Sequence, residues 1–111
     1  MTGNEYQELA MRTCSIPYDD KEDMMRHAVF GLCSEAGEVA ALLQKIYQGH
    51  SFDRDHAIKE LGDCCWMIAE ACKALNTTME FVMQTNIEKL RARFPDGFDP
   101  ERSRNRKEGD V

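Results

Sequence analysis

Glu35-Ala-Gly-Glu38 and Glu60-Leu-Gly-Asp63 are the two segments of this 111-residue chain best suited to do chemistry. In each, two acids stand three residues apart, a spacing that on a helix puts both carboxylates on one face. The rest of the first face is Met24, Ala28, Gly31 and Leu42, and the rest of the second is His56, Met67, Ala71 and Ala74. Neither face carries the lysines of a solvent-facing salt-bridge ladder, so the acids are expected at the border of an apolar core. Two like charges about 4 Å apart repel by about 4 kcal/mol at an effective dielectric of about 20. Four such groups in one small volume need a cation or shifted pKa values. An all-oxygen donor set suits Mg²⁺, with Mn²⁺ as a substitute, better than zinc. The metal ligands expected are therefore Glu35, Glu38, Glu60 and Asp63, against the alternative of ordinary surface acids. Gly37 and Gly62 each precede the second acid of a pair, where a helix interior pays about 0.8–1.0 kcal/mol for glycine. Close ligand approach and tight helix packing both explain them.

A second group has the opposite sign. Asn86, Lys89 and Arg93 share a face at steps of three and four, and Ser103 and Arg106 follow in a loop-like segment. Lys and Arg are suited to triphosphate oxygens, and a snorkelling pair at a helix C-terminus is the alternative. These residues are expected to bind substrate. The charge distribution agrees. Residues 1–87 hold 7 Lys/Arg and 14 Asp/Glu, whereas residues 88–107 hold 7 Lys/Arg and 4 Asp/Glu. An acidic body with a basic C-terminal segment is suited to hold a metal at one end of a ligand and phosphate at the other.

The elements that must position these groups are helical. Met25, Val29, Leu32, Ala36, Val39, Leu43 and Ile46 form a coiled-coil-like seam on a helix over 23–48. Ile58, Leu61, Cys65, Ile68, Cys72 and Leu75 form the matching seam over 54–75. The short connection predicts that these two helices pack as an antiparallel hairpin. Each acid pair then lies roughly 13–17 Å from the turn at 1.5 Å per residue, about level with the other. Helices over 4–13 and 77–94 complete the pattern, and residues 95–111 read as an irregular tail. The fold class expected is all-α: one domain over 1–111, a small four-helix bundle-like fold with that central hairpin, assembled as a dimer or tetramer. Cys65, Cys72, Phe30, Tyr47 and Trp66 are read as core residues, with nucleobase stacking as the alternative for the aromatics. His27 and His56 are read as partly exposed helix histidines, with support of the acids as the alternative.

Composition narrows the class. Apolar residues are 42% and charged residues 31%, an ordinary globular mixture. A net charge of −6 argues against a nucleic-acid partner. No stretch approaches the roughly 18 apolar residues of a membrane span. Five cysteines without a CxxC pair, and no basic-then-apolar N-terminal run, point to a reducing cytoplasm and away from structural zinc.

The motifs together resemble the MazG-like nucleotide pyrophosphohydrolases of the all-α NTP pyrophosphatase superfamily. The likeness runs through Glu5-Tyr6-Gln7, Gly31-Leu32, Ser34 to Val39, Lys59 to Asp63 with Trp66, Asn86, Lys89-Leu90, Arg93-Phe94-Pro95, Gly97-Phe98 and Ser103 to Arg106. It implies Mg²⁺-dependent conversion of a (d)NTP to the (d)NMP and pyrophosphate. It further implies that Glu35, Glu38, Glu60 and Asp63 bind metal, that Asn86 and Lys89 face the nucleotide, and that the protein is a homodimer or homotetramer. Glu35 or Glu38 is the residue expected to orient or deprotonate the attacking water. Cys64-Cys65 departs from the aliphatic residues expected there. The rivals are a phosphoribosyl-ATP pyrophosphohydrolase and a non-enzymatic helical dimerisation module, the latter indifferent to Mg²⁺.

Overall fold

The computed structural model describes residues 1–111 and is helical, with five α-helices and no strand. An isolated bridge between Pro95 and Gly97 is its nearest approach to β structure. The helices are α1 (Gly3–Met11), α2 (Lys21–Gln44), α3 (Arg54–Ala74), α4 (Met79–Arg93) and α5 (Pro100–Arg104), with a 3₁₀ turn at Lys45–Gln48. The chain forms two compact units, 1–79 and 80–111. The four-helix bundle-like fold with an irregular tail is thereby corrected: there are five helices in two units, and the tail contains α5. Asp99 caps α5 and Pro100 opens it, since a proline at the first helical position lacks only an N–H that would go unpaired there.

In the first unit each helix starts on a side-chain cap. Thr2 and Glu5 form a reciprocal capping box at α1, Asp20 accepts from the Asp23 N–H at α2, and Asp53 accepts from the His56 N–H at α3. Gly49, at φ 90°, takes the left-handed conformation that ends the 3₁₀ turn. Helices α2 and α3 run antiparallel, since His27 meets Glu70 while Glu35 meets Glu60 and Asp63.

The faces they use differ from the expected seams. Val29, Leu43, Ile46, Ile58, Leu61 and Leu75 are all 42% exposed or more. The buried side of α2 is instead Met24, Ala28 and Leu42, and Gly31 lies directly under Met67: a Cβ there would overlap the Met67 sulfur and methyl. Small residues at Ala28 and Gly31 let α3 approach closely, and the acids lie at the border of this contact as expected, Glu35 and Glu60 partly buried and Glu38 and Asp63 exposed. Cys72 is buried as expected, but Cys65, Phe30 and Tyr47 are exposed; all three belong to the uncovered faces.

Helix α1 packs on α3 through a core of Ala10, Met11, Met24, Ala69, Cys72, Ala74 and Met79. Polar ties fix the arrangement. The Trp66 indole N–H donates to Ala10 O and Thr13 Oγ1, both at 2.9 Å. The buried Gln7 amide donates to Thr77 O and accepts from the Met79 N–H at 2.8 Å. A polar group buried with its partners satisfied orients an interface without the penalty of an unpaired one.

Candidate functional site

The α2–α3 pairing places Glu35, Glu60 and Asp63 together, with one carboxylate oxygen of each within 4.8 Å of the others. Glu35 and Glu60 are partly buried and Asp63 is exposed, so the trio opens to solvent on one side. Glu38 lies outside this trio, exposed on the next turn of α2, yet its charge still acts on Glu35. No Lys or Arg pairs with the four acids. The basic partner in reach is His56, whose Nε2 lies 2.9 Å from Glu60 Oε1.

The electrostatic consequence falls on Glu35. Burial, then the charges of Asp63 and Glu60, push its carboxyl above the ordinary value of 4.5. Burial and Glu35 likewise raise the neighbouring Cys64 thiol, and burial and Cys65 raise the Tyr6 phenol. A half-open set of hard oxygen donors, crowded together without an internal lysine or arginine, fits a divalent cation that keeps some of its own water. The set does not suit a closed structural zinc site.

Gly37 and Gly62 have no heavy atom within 4 Å of where a Cβ would stand. Tight helix packing therefore does not account for them; that role falls to Gly31. Both lie beside the acids on open surface.

The other expected site residues lie in the second unit. Lys89, Arg93 and Arg106 line a cavity of about 360 Å³, together with Arg102 and Lys107. Ser103, half-buried in α5, and Asn86, exposed on α4, do not line it. Asp110 lies in the same cavity and binds Arg93 through two bonds, Nε to Oδ2 at 2.9 Å and Nη2 to Oδ1 at 2.7 Å. The Arg93 guanidinium, helped by Arg106 and Lys89, holds the Asp110 carboxyl below its ordinary value of 3.8.

Two features escaped the sequence reading. Asp110 is one; its only sequence signal is an acid three residues beyond the basic segment. Glu70 is the other, fully buried in α3, 2.6 Å from His27 Nδ1 and 3.3 Å from Cys14 Sγ. Its signal was a carboxylate in the apolar run Ile68-Ala69-Glu70-Ala71-Cys72. His27 thus contacts Glu70, and His56 is the histidine beside the acid trio.

Comparison with known proteins agrees with this geometry. The family model of the MazG nucleotide pyrophosphohydrolase domain matches residues 25–98, which include all four acids, Asn86, Lys89 and Arg93. The Gene 37 protein of Mycobacterium phage L5 is 32% identical over 79 residues, covering 67% of this chain and 69% of the phage protein. No solved structure matches significantly. No helix is long and apolar enough to cross a membrane. The chain belongs to the MazG nucleotide pyrophosphohydrolase family, and its acidic cluster at the α2–α3 interface marks it as a metal-assisted hydrolase of that general type.

Proposed function

We propose that the protein converts a nucleoside or deoxynucleoside triphosphate to the monophosphate and pyrophosphate with Mg²⁺. The observation that carries this reading is the trio Glu35, Glu60 and Asp63, gathered without a lysine or arginine to neutralise it, in a chain of this family. These three would hold the ion, and Glu38 stands close enough to complete a shared or second position. When bound, Mg²⁺ would supply charge neutralisation at the phosphate oxygens. The chain's own residues do the rest. Glu38, exposed and free of a lysine or arginine partner, accepts the proton of the attacking water; Glu35 is the alternative base. Within the second unit, Lys89, Arg93 and Arg106 are suited by charge to phosphate oxygens, and Asn86 and Ser103 to neutral hydrogen bonds with a nucleotide.

We further infer a homo-oligomer. Phe30 at 70% and Leu61 at 53% exposure stand on the two helices that build the site, and Tyr47 at 93% stands on the 3₁₀ turn that follows α2. Apolar surface on that scale in a small protein marks an association face. A second copy of the chain would cover the seams that the α2–α3 contact leaves open, and analytical ultracentrifugation reads this directly.

The function is tested by pyrophosphate release across NTPs, dNTPs and phosphoribosyl-ATP with Mg²⁺, comparing the wild type with E38Q and D63N. Activity on a triphosphate nucleotide that both variants abolish supports the reading. Equal activity in all three proteins removes the acids from the mechanism. Activity on phosphoribosyl-ATP alone redirects the substrate.

A further inference from the structure

The cavity of the second unit is built for an anion. Lys89, Arg93, Arg102 and Arg106 line it against two acids, Glu108 and Asp110. Of these two acids only Asp110 forms an ion pair with the cavity's cations, through both carboxylate oxygens to one edge of the Arg93 guanidinium; Arg102 has a looser partner outside the cavity, Asp99 at 3.9 Å. That two-bonded geometry is how a guanidinium takes a phosphate as well as a carboxylate. The Arg93 side chain is 9% exposed and that of Asp110 20%, so the pair is largely withdrawn from water. Gly109, at φ 84°, makes the left-handed bend immediately before Asp110, and the Asp110 N–H donates to Lys107 O, so the carboxylate is presented by a tight turn. The rest of the cavity, about 360 Å³, is larger than one carboxylate needs.

We propose that this cavity is an oxyanion site for a diphosphate-like group and that Asp110 is its tethered occupant, displaced when the polyphosphate arrives. The inference rests on the reading that these cations face the substrate's phosphates, and it adds a competitor built into the chain. The exchange is between like partners. Arg93 gives up one carboxylate and gains phosphate oxygens with more charge, while Lys89 and Arg106, which make no short ion pair with Asp110, gain a ligand, and Arg102, 3.9 Å from Asp99, gains a second one. Asp110 then returns to water on the Gly109 turn. The same cations that would bind phosphate, Arg93 first, hold the Asp110 carboxyl below its ordinary value of 3.8. An internal competitor raises the ligand concentration needed for half-saturation without touching the groups that do chemistry.

The test uses the full chain, inorganic diphosphate as the probe, and excess EDTA, so that neither metal nor hydrolysis enters. Calorimetric titration of the wild type, D110N and R93Q gives the affinities, and thermal melting confirms that each variant is folded. D110N is expected to bind diphosphate roughly three- to tenfold more tightly, the scale of losing one competing ion pair. R93Q is expected to lose most of the binding. Equal or weaker binding by D110N overturns the proposal, since Asp110 would then build the site rather than occupy it. Absence of binding in both wild type and D110N overturns it too. Hydrogen exchange gives a second readout that needs no variant: diphosphate added to the wild type should speed exchange at the Asp110 amide, and unchanged protection contradicts displacement. Because the titration is metal-free, a protein inactive towards every nucleotide would still report on this site.

Discussion

The two charged regions of the molecule solve the same problem in opposite ways. At the α2–α3 interface, Glu35, Glu60 and Asp63 crowd together, and the chain brings only His56 to them; Glu35 is pushed upward in pKa as a result. In the second unit, Arg93 and its neighbouring cations are supplied with a counter-charge by the chain itself, and Asp110 is pushed downward. Like charges gathered without an internal opposite wait for a ligand from outside. Like charges given an internal opposite must exchange it for one. The acidic trio is thus left with uncompensated charge by the chain, whereas in the basic cavity Arg93 already has a partner in Asp110.

The strongest way to break this contrast is to remove acids. D63N or E60Q should reduce metal-dependent hydrolysis by about a hundredfold or more, several kcal/mol of lost charge stabilisation, measured by pyrophosphate release at saturating Mg²⁺. Next in size is the response to the ion. A cation binding only the folded acids stabilises by about 2.7 kcal/mol at a hundred times its Kd, read as a rise in Tm. The sign of its pH dependence follows from Glu35. The folded pKa lies above 4.5, so the folded state holds this proton more firmly than the unfolded one. The associated stability is present at low pH and lost as pH rises through the folded value. The metal-free protein should thus weaken from acid towards neutral pH, and Mg²⁺ should raise Tm more at neutral pH than at about pH 5.

A third test addresses what brings the acids together. Gly31→Val should cost about 1–3 kcal/mol by overpacking against Met67 and should reduce Mg²⁺ affinity as α2 and α3 separate. Gly62→Ala or Gly37→Ala, by contrast, meets open space and should stabilise the metal-free protein by about 0.8–1.0 kcal/mol. If either glycine serves ligand approach, activity falls while Tm rises, a split that denaturation and kinetics report together. The smallest effect is at Asp110. Its lowered pKa means that its contribution is present above the ordinary value of 3.8 and lost as pH falls through the folded value. Protection of the Asp110 amide should therefore persist at mildly acidic pH and disappear only in stronger acid.

How much of this was legible in the sequence depends on the range of the interaction. Helix limits were set by local chemistry, by Thr2–Glu5, Asp20, Asp53, Gly49 and Pro95, and the observed bounds lie within a few residues of those read from spacing. The convergence of Glu35 with Glu60 and Asp63 followed from counting residues to one turn. The choice of packing face did not. A seam of Val29, Leu43 and Leu61 outweighs Ala28 and Gly31 in apolar character, yet small residues win by letting helix axes approach, and periodicity weighs hydrophobicity without weighing closeness. The division into two units, the helix α5, and the Asp110–Arg93 pair depend on tertiary contacts that no window of sequence contains. Glu38 illustrates the limit at the site itself: the same three-residue step that leaves Glu60 and Asp63 both in the trio leaves Glu38 outside it, so spacing alone does not select the acids that meet.

The acid faces of α2 and α3 are proposed to form one divalent-cation site. Calorimetric titration of Mn²⁺ into the nucleotide-free wild type at neutral pH, repeated with D63N and with E35Q, addresses it most directly. Saturable binding in the wild type that either single substitution on either helix abolishes is the predicted result. No binding in the wild type, or binding that survives both substitutions unchanged, would contradict it.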